Sequence, residues 1–353
     1  MGPRASDDVE VRPLLGAEAL SVPALWNAAW TGRPAAGAPY PLSEALWRER
    51  LASRHHDPSL LLGAYLSGEP VGFAYGKLPA SPWQPAGVAW VSAVAVAAAH
   101  QGRGIGAALL GALLARLAAA GATEVRFGSD ADHLLPGVPL EAPPAAWRLL
   151  RRHGARFAAL EHDLHLDLRP PLPAAPLPPG WRLRDDDPEG AEAFVGRAFP
   201  GRWAEELGAY LRGGATVFTV ERTASHPDGA SAGAEGFCVA FRGGERVTSP
   251  GLHWAAALAR DYPGGRLGAI GPLGVSPAVR GGGVGLAMVR GAAAALRERG
   301  VTDVVINCTT LGAFYGRLGA RAWRAARGRH RHRQRRDRGD AGGAFVGRAR
   351  LRD

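Results

Sequence analysis

The stretch "QGRGIGAALLGALLARLAAAG", residues 101–121, opens on closely spaced glycines and runs into an alanine- and leucine-rich segment. Leu109, Leu110, Leu113, Leu114 and Leu117 recur at helical spacing, so the segment reads as a helix with one apolar stripe. The apolar run before it, "AWVSAVAV" (89–96), reads as a strand. A strand, a glycine turn and a helix in that order build a site for an anion. The glycines let several N–H groups point at one spot, and the helix adds its unpaired N–H groups and the positive end of its dipole. The device returns 179 residues later as "RGGGVGLAMVRGAAAALRERG", residues 280–300. The echo continues past the helix, with "GATEVRF" (121–127) against "GVTDVVI" (300–306) at the same offset. A period this long indicates a duplicated domain, not a solenoid.

At 353 residues the chain is long for one core and comfortable for two. No apolar run is long enough to span a bilayer, and "MGPRASDDVEVRP" lacks the apolar core of a secretory signal. Two cysteines, Cys238 and Cys308, support neither a disulfide framework nor a cysteine-rich metal site, so no metal is expected and a cytoplasmic location is. The formal charge of +10 is local: from Arg321 onward 12 Arg stand against three Asp, a net of +9. The body is nearly neutral, which argues against a nucleic-acid surface on the folded part. The proline-rich "RPPLPAAPLPPG" (169–180) favours extended backbone and reads as a semi-rigid linker. The expected organisation is therefore a domain at 1–168, the linker at 169–180, a second domain at 181–327 and an unstructured basic tail at 328–353.

Each half reads as α/β. In the first, strands are expected at "VEVRPLL", "LLLGAYL", "PVGFAYG", 89–96, 123–128 and 155–168, and helices at 17–30, 43–53, 104–120 and 144–153. "SGE" between the second and third strands is a good hairpin connection. The second half repeats the order: strands at 181–185, "TVFTVE", "EGFCVAF", 268–275 and "DVVINC", and helices at 189–199, 203–213, 284–299 and 311–318. The loop "TASHPDGASAGA" and the segment 242–266 have no counterpart in the first half.

Neither turn carries the Gly-Lys-Ser/Thr ending of a P-loop. Gly102, Gly104 and Ala107 fit a dinucleotide fingerprint, but that motif opens its domain after the first strand, and here each copy lies mid-domain. Gln101-Gly102-Arg103-Gly104-Ile105-Gly106 and Arg280-Gly281-Gly282-Gly283-Val284-Gly285 resemble the Q/R-x-x-G-x-G/A signature of the GNAT acyltransferases. A strand valine, Val96 or Val275, precedes each at the family's spacing, and "FYGRLGA" (314–320) is similar to the helix after the next strand. The resemblance covers nearly the whole chain as two units, and the tandem layout is similar to mycothiol synthase-like members. It implies a mixed, mostly antiparallel sheet flanked by helices in each unit, with acetyl-CoA as donor and a primary amine as acceptor. The pyrophosphate would sit on amides 101–107 or 280–286, and the pantetheine arm would pair with the strand ending at Val96 or Val275.

The resemblance also implies a tyrosine on the late helix that protonates the departing thiolate, and Tyr315 matches it. Aligning "AFYGRLGAR" with "RLLRRHGAR" puts Leu150 opposite Tyr315, and leucine has no proton to give. The first half is therefore expected to be degenerate and the second catalytic, although Gly282 stands where the first turn has Arg103. No general base declares itself. Glu205, Glu206, Asp261 and His253 remain open, and so does the alternative that the chain binds acetyl-CoA without catalysis.

Overall fold

The computed structural model describes residues 9–31, 37–156, 159–223, 233–244, 250–328 and 349–350. The chain divides into two compact units, one built on residues up to Leu160, the other on Glu161–Ala325.

The first unit contains β1 (Glu10–Pro13), α1 (Val22–Ala28), α2 (Glu44–Leu51), β2 (Leu61–Leu66), β3 (Glu69–Lys77), β4 (Val88–Val96), α3 (Ile105–Ala119), β5 (Glu124–Phe127), β6 (Val138–Pro139) and α4 (Pro144–Arg152). β1 to β4 pair in sequence, each antiparallel to the next, and β4 pairs parallel with β5. The β2–β3 connection is two residues, Ser67 and Gly68, both with positive φ (51° and 83°). That conformation matches the twist of a hairpin. Beyond β5 the edge is extended by Ala349 and Arg350, which pair with Val125 and Glu124. These two residues belong to the stretch expected to be an unstructured tail; the rest of 329–353 lies outside the described residues. The leucine stripe of α3 (109, 110, 113, 114, 117) is buried as its spacing predicts, against Leu62, Ala74, Val91 and Val125 of the sheet.

The second unit contains β7 (Ala159–Asp167), β8 (Trp181–Arg184), α5 (Pro188–Ala198), α6 (Arg202–Arg212), β9 (Thr216–Arg222), β10 (Gly236–Arg242), α7 (Ala255–Asp261), β11 (Leu267–Val275), α8 (Val284–Glu298), β12 (Asp303–Thr309), α9 (Gly312–Gly316) and β13 (Arg321–Gly328). Its strands run in the order β13-β7-β12-β11-β10-β9-β8. β8 to β11 are antiparallel neighbours, β11–β12 is parallel and β12–β7 is antiparallel. One face of the sheet packs on α8, the other on α5 and α6, and each has its own apolar core. α7 fills part of the 242–266 segment that the first half lacks.

Two features depart from the expected organisation. β7, which the sequence assigns to the end of the first half, pairs Asp167 with Asp303 and Leu164 with Ile306, between β12 and β13. Its alternation explains the fit: Leu164, Leu166 and Leu168 enter the α8-side core, while His165 on the opposite face stacks on Tyr262 at 3.6 Å. The proline-rich 169–180 is not free of the unit that follows it. Leu172, Ala175 and Leu177 pack on the α8-side core, and Arg290 Nε donates to the Pro173 carbonyl at 3.1 Å.

Candidate active site

The two glycine turns are geometric copies. Gly102 and Gly104 have φ of 81° and 84°; Gly281 and Gly283 have 81° and 83°. Gly104 and Gly283 are the N-caps of α3 and α8, and neither cap is closed by a side chain. Residues with a Cβ pay about 1–2 kcal/mol in this left-handed conformation, so glycine is what permits the turn. The N–H groups of Gly104, Ile105 and Gly106, and of Gly283, Val284 and Gly285, donate to no backbone acceptor among the described residues. Each set points a helix dipole and free donors at one place.

The strand before each turn parts from its parallel neighbour. β4 and β5 pair only as far as Val91↔Phe127, and β11 and β12 only as far as Ala269↔Val305. The cause is a bulge at the same point in both copies. Tyr75 pairs with Ala93 and Gly76 with Val91, leaving Ser92 extra; Cys238 pairs with Leu273 and Ala240 with Ile270, leaving Gly271 and Pro272 opposite Val239. A bulge bends its strand, and it is where a proline is tolerated in mid-sheet. In the first unit the resulting gap opens into a cavity of about 480 Å³, lined by Trp26, Trp30, the end of β4, the glycine turn, Leu149 and Leu150.

Of the residues singled out in the sequence, Val96 and Val275 lie beside their turns: each has a side-chain carbon within 3.8 Å of where a Cβ on Gly106 or Gly285 would stand. Gln101 spends its side chain on structure, donating to the carbonyls of Val96 (2.8 Å) and Ala29 (3.0 Å). Arg103, Arg280, Gly281 and Gly282 are exposed on the turns, whereas Ile105 and Val284 turn inward and anchor their helices. Leu149 touches the Gly106 position at 3.8 Å as Phe314 touches the Gly285 position at 3.7 Å. The next residues, Leu150 and Tyr315, are therefore equivalent, as the sequence alignment has them. Tyr315 is 5% exposed beside the Phe314 ring, and burial pushes its phenol above the ordinary range.

Two of the carboxylates left open as bases are engaged. Asp261 accepts from Arg260 Nε (2.7 Å) and Trp323 Nε1 (2.8 Å). Burial would raise its pKa, but those two donors outweigh it and hold the carboxyl low. Glu206 faces Arg202 Nε at 3.2 Å and accepts the Tyr210 hydroxyl. The sequence reading missed the carboxylates of β7. Glu161 and Asp163 lie on the strand face that carries His165, toward α5 and α6, and Asp163 accepts the Cys308 N–H at 3.0 Å. The signal was present in "LEHDLHLDL" (160–168), where charged and apolar residues alternate, but such a face ordinarily meets water. The first unit has buried carboxylates too, and there Lys77, the chain's one lysine, pairs with Asp130 (3.0 Å) and Asp132.

The sequence profile of the Acetyltransferase (GNAT) family matches residues 22–135 and 202–320, one match in each unit. The chain belongs to the GNAT acetyltransferase family. Members take the acetyl group from acetyl-CoA, and this chain is an acetyl-CoA-dependent acetyltransferase with two GNAT domains. It is 32% identical over 286 residues to the mycothiol acetyltransferase of Thermobispora bispora, covering 77% of this chain and 84% of that protein. Among solved structures, its fold is similar to a GCN5-related glucosamine N-acetyltransferase region of a fungal multi-domain GH3 β-N-acetylglucosaminidase. That match has a TM-score of 0.73 at 21% identity, covering 98% of this chain and 38% of that longer one. A tandem GNAT protein from the clavulanic acid biosynthesis pathway matches with a TM-score of 0.58 at 18% identity, covering 91% and 97%. Both GNAT domains here keep the parted strands and the open helix N-terminus. Among the described residues no cluster of ligands could hold a metal ion, and no helix is long and apolar enough to cross a membrane.

Proposed function

We propose that the second unit transfers the acetyl group of acetyl-CoA directly to a primary amine, with Tyr315 protonating the departing thiolate. The observation that carries this reading is the equivalence of Tyr315 and Leu150 about their glycine turns: of the two units, only the second has a proton at that place. The CoA pyrophosphate lies on the amides from Arg280 to Gly285 through Gly281, Gly282, Gly283 and Val284, and the pantetheine runs along β11 toward Val275. A buried phenol held above its ordinary range stays protonated through neutral pH, the state a general acid needs before the carbon–sulfur bond breaks. The mycothiol acetyltransferases among the relatives support an acceptor of that kind over a protein amine.

The first unit, by the same reading, binds the donor on the amides of Gln101, Gly102, Arg103, Gly104, Ile105 and Gly106 and along Val96, without transfer. Its cavity favours occupancy, and Leu150 leaves the thiolate no acid. The test is turnover of radiolabelled acetyl-CoA with a panel of small-molecule and peptide primary amines. Tyr315→Phe is expected to lower kcat about 100-fold while acetyl-CoA binding by calorimetry is unchanged. Equal turnover by the variant removes Tyr315 from the chemistry, and absence of turnover by the wild type on every amine leaves a binding protein.

A further inference from the structure

A buried carboxylate of the second unit has one oxygen without a hydrogen bond among the described residues. Glu161 is 3% exposed, and its Oε2 has no hydrogen-bond partner among the described residues. The alternation of β7 puts it on the α5/α6 face, with Asp163 and His165, while Leu164 and Leu166 take the other face. The groups that face it come from four elements. They are Asp163 on β7 itself, Arg202 from α6 with Glu206 against it, Cys308 from β12, and Arg324 from β13, whose Nη2 lies 3.7 Å from Asp163. In the first unit Lys77 lies against the buried Asp130 and Asp132; the second unit has no lysine.

Its place in the fold gives the charge a use. Asp163 is bonded to Cys308, beyond Ala269↔Val305 where β11 and β12 part. The Glu161 cluster thus reaches β12 where that strand leaves β11, at Cys308, while Tyr315 lies in the α8-side core. We propose that Glu161 is the general base of the second unit, receiving the acceptor as its ammonium form and taking the first proton from it. This rests on the reading that the second unit is where transfer occurs. Glu161 takes one proton from R–NH₃⁺, and the freed nitrogen pair forms the carbon–nitrogen bond at the thioester carbonyl. The tetrahedral intermediate then breaks its carbon–sulfur bond. The electron pair leaves on sulfur, sulfur takes the Tyr315 proton, and the second nitrogen proton restores the phenol. The proton on Glu161 passes to solvent, so R–NH₃⁺ and acetyl-CoA become amide, CoA thiol and one proton. Burial, with Asp163 beside it, pushes the Glu161 carboxyl up to about 8, close to the value that serves a base near neutrality.

The experiment is the pH profile of kcat/KM, on the best amine of the panel above, for the wild type, Glu161→Gln and Glu161→Asp. The wild type should rise through a midpoint near pH 8 and level off about one unit higher. Glu161→Gln should lose about 100-fold at that pH and lose the limb, with acetyl-CoA affinity within about twofold of wild type. Glu161→Asp should recover part of the rate and keep a limb. A profile for Glu161→Gln that keeps the wild-type limb overturns the assignment while leaving the function of the unit intact. Loss of acetyl-CoA binding together with rate in both variants makes the residue structural and also overturns it. If the wild type turns over no amine, the reading of the unit fails, and the base with it.

Discussion

Three glycines stand in a row at 281–283, yet the backbone needs two of them. Gly281 and Gly283 have positive φ, and Gly282 does not; a Cβ there would meet only the Val279 carbonyl, at an ordinary 3.6 Å. Gly282→Ala is therefore expected to leave the fold unharmed or stabilise it by up to about 1 kcal/mol, by removing freedom from the unfolded chain. Gly283→Ala should cost about 1–2 kcal/mol, and denaturant titration of both variants separates the two. The missing counterpart of Arg103 is thus a substitution the turn tolerates, not a requirement of its geometry. Glu161 gives the opposite case, a side chain whose burial works against stability. Its carboxyl titrates at about 8 folded and near 4.5 unfolded, so the folded state holds the proton longer. The unit should lose stability as pH rises through that window, by a few kcal/mol in all. Glu161→Gln should raise the melting temperature at pH 8.5 and leave it unchanged at pH 4.5.

At the scale of elements, the repeat was legible because glycine spacing and apolar periodicity are local properties. The helix of residues 105–119, the hairpin at Ser67–Gly68 and the strand of residues 267–275 follow from neighbours in sequence. The bulges were not legible. Ser92 has no turn residue beside it, and Pro272 in "GAIGPLGV" reads equally as a strand end; only pairing with β3 and β10 shows that each strand gains a residue there. The Glu161 cluster was hidden for a related reason, since its members lie on β7, α6, β12 and β13 and share no spacing. Element packing also sets what the helices are worth. Leu113 on α3 is fully buried against the sheet, and Leu113→Ala should destabilise the first unit by about 2–5 kcal/mol in thermal or denaturant unfolding.

For the molecule as a whole, the proposed function gives the duplicated units two donor sites of unequal chemistry, and the two can be addressed separately. Gly106 has an ordinary φ, and a Cβ there would meet Leu149 and Val96 at a comfortable 3.8 Å. Gly106→Val thus starts from a Cβ that the fold has room for and adds its bulk on the lining of the first unit's cavity. Calorimetry should show acetyl-CoA stoichiometry falling from two to one, with kcat preserved; the reverse pattern, lost rate with unchanged stoichiometry, would place transfer in the first unit. Strand order also constrains how the two halves can be inherited. The proline stretch at 169–180 is the obvious seam between two fused genes, yet a cut there strips the second sheet of its strand between β12 and β13. A fragment beginning at Trp181 would expose two raw strand edges and aggregate, whereas one beginning at Ala159 keeps β7 between β12 and β13. Recombination that shuffles these halves must break the chain before Ala159, so the unit that descends intact starts inside what the repeat itself marks as the other copy.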